Sequence, residues 1–289
     1  PTDLVQKVSP QQASQLSGVT IDCECLFFPQ AGFLQPQALA QTWLNHPNIT
    51  CLWQHDVADI CYQNNQWLIL DQQQQTICQA PVVIISNALA AQQLTPTAHL
   101  PLTPVRGQIA HFTTETPLQQ LKTVLCYGGY LTPAYGQSPQ RHCLGASFWP
   151  RNKDSQVTDE DHQHNQQLLQ QFLPHLAEQL PSIDTWQGRA ALRAQTSDYL
   201  PMVGALPVYG DFIERYAAFK HGRTVNESPN YHQGLYVSLG HGSKGFCYAP
   251  LAAEVIAAQL NNEPMPIAKR VLEALHPARF WVKQIKRQR

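Results

Sequence analysis

Hydrophobic positions along this chain fall into short runs and amphipathic repeats punctuated by Gly, Pro and Asn. Leu235 to Leu239 is an apolar run with Gly234 before it and Gly240 after it, the pattern of a buried strand. Gly240, Gly242 and Gly245 free the backbone from the restriction of a Cβ and predict a tight turn, with Ser243 placed to cap a helix beginning near Gly245. That helix is amphipathic. Ala249, Ala252, Ala253, Ala257 and Ala258 keep its surface small enough to lie close against a sheet, and Pro250 is near enough to its start to be tolerated.

Upstream, the pattern predicts a helix within residues 11–16, a strand over 25–28 and a second helix over 34–44 with Pro36 near its N-terminus. Strands follow over 50–55, 57–62 and 67–71, with Asn64-Asn65 as a hairpin turn. Residues 81–86, Pro-Val-Val-Ile-Ile-Ser, read by composition as a fully buried strand. From Pro101 the pattern changes to strands over 105–112, 123–131 and 142–148, one polar helix over 159–180, a strand over 184–193 and a loop over 197–204. The expected fold class is therefore α/β: a mostly antiparallel domain inserted into an α/β domain that resumes at Tyr231.

With 289 residues, 43% hydrophobic and 13% charged, the chain can bury one large or two modest cores. Its apolar runs are far shorter than a bilayer span, so the expected location is the cytoplasm. Eight cysteines and twelve histidines lack metal-ligand spacing, and no metal site is expected. A net charge of −1 excludes a protein that coats nucleic acid by electrostatics alone; any RNA contact has to be local.

A strand, a glycine turn and a helix N-terminus together favour negative charge, because free N–H groups and the positive end of the helix dipole face the turn. Lys244 adds a full charge beside them. An ordinary strand-to-helix turn, whose glycines only allow tight packing, fits these residues equally well.

Gly240-His-Gly-Ser-Lys-Gly-Phe246, followed by Ala249-Pro250-Leu251, resembles the last strand–helix unit of the glycine oxidase and D-amino-acid oxidase family of flavoenzymes. The resemblance implies an FAD-binding Rossmann-like domain, incomplete at its N-terminus, with an inserted substrate domain. It makes Gly240, His241, Gly242, Ser243, Lys244 and Gly245 cofactor candidates that lie against the flavin ring. His241 stands where an apolar residue is usual. Val57 resembles a valine whose backbone meets the adenine, and Ser86 and Asn87 end a strand that precedes the flavin. Further motifs are Cys126-Tyr-Gly-Gly-Tyr-Leu-Thr-Pro133, Cys143-Leu-Gly-Ala-Ser-Phe148, and Arg193 with Asp198-Tyr-Leu-Pro-Met-Val-Gly204. Together they resemble the C-terminal oxidoreductase part of the bacterial bifunctional enzymes of tRNA 5-methylaminomethyl-2-thiouridine biosynthesis.

On that resemblance, residues 1–30 end an upstream substrate-domain segment, 31–103 and 229–289 belong to the FAD-binding domain, and 104–228 form the substrate domain. The chain starts at Pro1 in mid-pattern, as a piece of something longer would. The family's pyrophosphate-binding G-x-G-x-x-G turn and its acidic partner are expected upstream, which would leave this chain alone a weak FAD binder. The implied partners are a methyltransferase part of the same protein and a tRNA anticodon loop with a modified uridine. The implied reaction removes the carboxymethyl group of a carboxymethylaminomethyl-(2-thio)uridine as glyoxylate, leaving the aminomethyl nucleoside.

A substrate carboxylate calls for a cation, and the resemblance gives that role to Arg193; a guanidinium pairs with a carboxylate through two parallel hydrogen bonds. Arg189 shares its strand face. Tyr130 resembles a tyrosine lining the amine site, and is equally readable as a packed strand aromatic. Residues 279–289 hold five cations with Phe280 and Trp281 among them, a composition suited to loop RNA. The rivals to a tRNA-modifying oxidoreductase are a small-molecule amine oxidase of the same fold and a non-catalytic piece.

Overall fold

The structure, a computed structural model, describes residues 3–136 and 138–287. The chain divides into two compact units, one of residues 1–51 and 106–192, the other of 52–105 and 193–289. Residues 31–51 thus go with the first unit and 193–228 with the second, where the sequence reading puts boundaries after 30, 103 and 228.

In the first unit a small antiparallel pair, Gln6–Val8 with Cys25–Phe27, flanks the helix Pro10–Ser17. Ser9 and Gln12 form a capping box at its start, and Gly18 closes it at φ 79°. The main sheet runs in the order Trp149–Pro150, Thr103–Phe112, His142–Gly145, Tyr130–Leu131, Leu125–Cys126, with Gln187–Gln195 also paired to Thr103–Phe112. The strand expected over 123–131 is instead a tight hairpin, because Gly128 and Gly129 let residues 127–129 reverse the chain and pair Cys126 with Tyr130. The helix expected over 159–180 is broken into Asp159–Phe172 and Pro174–Ala177, since Pro174 cannot continue a helical hydrogen-bond ladder. Arg106 is 2% exposed and ties the Thr103–Phe112 strand to Asp161 in the first turn of that helix. Asp161 also accepts from Trp149 Nε1 at 2.6 Å and from the Thr158 hydroxyl at 2.8 Å, so this buried charge is fully hydrogen-bonded.

In the second unit Tyr231–Leu239 is the central strand of three, antiparallel to Met202–Pro207 and parallel to Val83–Ile85. The helix Gly245–Asn261 covers this sheet through Val203, Ala252, Val255 and Ile256. A separate antiparallel sheet holds Asp59–Gln63, Gln66–Leu70 and Thr76–Ala80, with Asn64 and Asn65 at φ 49° and 63° making the expected hairpin turn. No strand forms over 50–55. Residues 81–86 are not a buried strand either. Val83–Ile85 has one hydrogen-bonded neighbour among the described residues, and only Ile85 of the six is buried, while Ile84 is 45% exposed.

The C-terminal segment also differs from the expectation. Arg279–Arg287 is a helix whose Phe280, Trp281 and Ile285 are buried in the unit's core, and Trp281 Nε1 donates to the His99 carbonyl at 3.1 Å. Its aromatics are core residues and cannot stack on RNA bases. No helix among the described residues is long and apolar enough to cross a membrane.

Candidate active site

The Tyr231–Leu239 and Val83–Ile85 strands run parallel, pairing Val237 with Ile85. Their C-terminal ends therefore leave the sheet on the same side, which brings Ser86 and Asn87, both exposed, to the same edge as Gly240. The edge beyond the carboxyl ends of parallel strands is where α/β sheets take ligands. Gly240 has φ 75°, and a Cβ there would sit 2.6 Å from Thr196 Cγ2 and 3.2 Å from Leu102 Cδ2. Only glycine fits.

Gly242 has φ 59° and lies beside Gln195, whose Oε1 would be 3.3 Å from an added Cβ. Gly245 is different. Its φ is −53°, and the nearest atom to an added Cβ is His241 Cβ at 3.8 Å, so its face is open. Residues Gly242–Lys244 make one 3-10 turn, and the α-helix starts at Gly245. Ser243 does not cap it: the N-cap position is Lys244, with no side-chain cap hydrogen bond. Among the described residues no side-chain cap hydrogen bond thus closes the N-terminus of this 17-residue helix, which starts next to an exposed Lys244. This donor set suits an anionic or carbonyl-rich ring edge, so the turn fits the pyrimidine end of a flavin.

Gly240, Gly242 and Gly245 also stand at G-x-G-x-x-G spacing between a strand and a helix, although the family's pyrophosphate-binding turn is expected upstream. The rest of the dinucleotide fingerprint is not formed here. The helix ends at Asn262, φ 56°, and leads to the helix Lys269–Leu275, so among the described residues no strand follows it to present an acid to a ribose.

His241 donates to or accepts from Ser238 Oγ through Nε2 at 3.0 Å, while its buried Nδ1 has no hydrogen-bond partner among the described residues. Burial pushes its pKa below the ordinary histidine value, so the ring is neutral at pH 7. A neutral ring suits a turn that already carries positive charge.

His241 also bridges to Gln195 in antiparallel fashion. Gln195 ends the Gln187–Gln195 strand, and Arg193, two residues earlier, shares its face. Arg193 is half-buried with a fully buried Nη1, whereas Arg189 on the same face is exposed. The second unit therefore carries Arg193, the glycine turn and the Ser86-Asn87 corner. Gln195 and Thr196 were not singled out from sequence; they meet the turn only through pairing with a distant strand end, which leaves no local signal.

Val57 is half-buried against the second unit's core, just before the Asp59–Gln63 strand. Tyr130 belongs to the first unit. It pairs with Gly145, and a Cβ on Gly145 would come within 3.0 Å of the Tyr130 hydroxyl, so the ring lies flat across a strand that only glycine permits.

The FAD dependent oxidoreductase family profile matches residues 2–259. The tRNA 5-methylaminomethyl-2-thiouridine biosynthesis bifunctional protein MnmC of Pseudomonas fluorescens is 38% identical over 99% of this chain, and that of Chromobacterium violaceum 35% over 100%. The chain spans 44% of either protein, less than half the length of these curated relatives. Among solved structures, glycine oxidase from Geobacillus kaustophilus superposes with a TM-score of 0.69 at 20% identity, covering 96% of this chain and 67% of that one. Iminodiacetate oxidase from Chelativorans sp. BNC1 gives 0.70 at 20% identity, covering 94% and 67%. These likenesses share the fold in which the glycine turn and the strand bearing Arg193 are found. The chain belongs to the FAD-dependent oxidoreductase family.

Proposed function

We infer that this chain oxidises a carboxymethylaminomethyl group on the wobble uridine of tRNA, converting carboxymethylaminomethyl-(2-thio)uridine to aminomethyl-(2-thio)uridine and glyoxylate. The observation that carries the reading is the buried guanidinium nitrogen of Arg193 on the strand whose end is bridged to the glycine turn. A buried guanidinium in a family of oxidoreductases suits a carboxylate, because the pair forms two parallel hydrogen bonds and both charges are neutralised away from water. The names of the Pseudomonas and Chromobacterium relatives support tRNA as the substrate, and their description as bifunctional, with this chain spanning 44% of each, supports a second part of the same protein as the partner.

In this reading Arg193 binds the carboxylate and so fixes the carbon between it and the amine. The N–H groups at Gly245 and the Lys244 ammonium hold negative charge at the turn, and Ser86 and Asn87 line the same edge. FAD, when bound, supplies the two-electron oxidation of the carbon beside the secondary amine. Water then adds across the substrate's C=N bond, and its collapse releases glyoxylate and the primary amine. No side chain need act as a dedicated base, because a secondary amine can lose its proton on binding; neutral His241 is held by Ser238 and serves the turn.

The test is glyoxylate release by the FAD-loaded protein from tRNA bearing carboxymethylaminomethyluridine. Stoichiometric glyoxylate with the aminomethyl nucleoside supports the reading. Turnover of glycine or iminodiacetate with no glyoxylate from the tRNA would contradict it in favour of a small-molecule oxidase.

A further inference from the structure

The segment after the Gln187–Gln195 strand is held from both sides of one residue. The Asp198 carboxylate accepts from Arg279 Nε at 3.0 Å and Nη2 at 2.9 Å, and from Lys283 Nζ at 3.3 Å. Arg279 Nη2 also donates to the Leu200 carbonyl at 2.6 Å, and the Thr196 hydroxyl donates to the same carbonyl at 2.7 Å. The Arg279 side chain is 9% exposed, so this bidentate pair is shielded from solvent and geometrically specific.

Between the clamped residues stands Tyr199, at φ 62°. Bulky L-residues avoid this left-handed region, while Gly or Asn would occupy it with little strain. Burial does not offset the cost, because Tyr199 is 65% exposed. A turn that only reversed the chain would not need a strained, exposed aromatic. Strained backbone that its surroundings over-determine concentrates at ligand-binding positions. A phenol ring on a fixed mount has already lost much of its freedom, so a planar partner gains its contact at low entropic cost.

We propose that Tyr199 is a stacking platform for a base of the RNA substrate, held in place by the Asp198–Arg279 clamp. The inference rests on the tRNA reading above. A nucleotide is favoured over other planar partners because the clamp is flanked by cations. Lys283 touches Asp198 from the exposed face of the Arg279–Arg287 helix, and Lys286 lies one turn along it, so a phosphate backbone carrying a base past Tyr199 meets positive charge.

The experiment is titration of the 289-residue chain with an anticodon stem-loop RNA carrying uridine at the wobble position, at several KCl concentrations. Tyr199→Ala is expected to weaken binding by about five- to 150-fold, the range for one base–aromatic stack. Tyr199→Phe and Tyr199→Trp keep wild-type affinity to within about threefold, since every stacking ring serves. The slope of log affinity against log salt stays unchanged in all three, because no phosphate contact is removed. Tyr199→Gly separates this role from folding: it relieves the strain, so its melting temperature does not fall, yet it loses RNA as Ala does. Binding of Tyr199→Ala or Tyr199→Gly at wild-type affinity overturns the platform and leaves the tRNA reading standing. Loss of binding in Tyr199→Phe would move the role to the hydroxyl and also overturn it. If the wild-type chain binds no RNA, the tRNA reading beneath it fails as well.

Discussion

Gln195 and His241 pair in an antiparallel bridge, and this contact fastens the end of the strand bearing Arg193 to the glycine turn. Ser238 holds His241 from the other side at 3.0 Å, so the turn is fixed by a strand end and by its own preceding residues. Arg193 and the turn are consequently two ends of one rigid arrangement within the second unit.

The glycines of the turn should separate folding from cofactor binding. Gly240→Ala combines a left-handed backbone with a contact at 2.6 Å, and should cost about 2–4 kcal/mol in thermal or urea unfolding. Gly245→Ala has room and a helical backbone, so stability should hold or rise. Its methyl would occupy the face offered to the flavin, and FAD affinity should drop by about tenfold, roughly 1.4 kcal/mol. Equal FAD affinity for Gly245→Ala and wild type, measured by absorbance titration, would take that face out of the cofactor site.

Acid unfolding should come in two steps. Burial first, and then nearby Arg279, lower the His276 pKa to about 4, and its Nε2 meets the Tyr231 hydroxyl at 3.1 Å. Since its unfolded value is near 6.5, the unfolded state takes up the proton first, and stability falls as pH drops from about 6.5 to 4. Asp161 acts lower. Burial raises its pKa, but hydrogen bonds from Ser147, Trp149, Thr158 and Arg106 outweigh burial and bring it down to about 2. The stability it contributes is present above the unfolded value near 4 and is lost between about pH 4 and 2. Urea midpoints measured from pH 7 to 3 should show His276→Phe flattening part of the upper step, which His241 and other histidines lowered by burial share, and leaving the lower step; an unchanged upper slope would remove His276 as a source.

Charge and packing in the C-terminal helix should separate in the same way. Trp281→Ala removes a residue 1% exposed and should cost about 3–5 kcal/mol, and truncation after Pro277 should unfold the second unit. Lys286→Gln with Arg287→Gln removes charge from two exposed residues, at the loss only of the Lys286 ammonium from 5.6 Å over the Phe219 ring. That double variant should melt like wild type and bind tRNA with a shallower salt dependence, by about one to two units of slope. Unchanged slope in a filter-binding series would acquit both cations.

Much of this was legible in the sequence because it rests on local rules. Asn64-Asn65, the Pro36 helix start and the strand–turn–helix at Leu239–Gly245 each follow from backbone preferences of the residues present. What was not legible depends on partners distant in the chain. Residues 81–86 are apolar enough for a central strand, yet among the described residues Val83–Ile85 is paired on one side only, and Ile84 is exposed. Phe280 and Trp281 look like an RNA-binding pair until the Arg279–Arg287 helix is seen packed on Phe212 and Tyr209. The strain at Tyr199 and the clamp from Arg279 join residues 81 apart and have no sequence signature.

The most direct measurement is kcat/KM for glyoxylate release from carboxymethylaminomethyl-tRNA by FAD-loaded wild type, Arg193→Met and Arg189→Met. Methionine keeps much of the apolar stem and removes the charge, leaving the substrate carboxylate without its partner. Loss of one side of a buried, hydrogen-bonded charge pair costs about 2–5 kcal/mol, so Arg193→Met should fall by roughly thirty-fold to several thousand-fold. Exposed Arg189 should matter little, and FAD content should be equal in all three. A carboxylate-free amine analogue should distinguish Arg193→Met from wild type far less. Wild-type efficiency in Arg193→Met, with the loss appearing in Arg189→Met instead, would contradict the assignment of Arg193 to the substrate carboxylate.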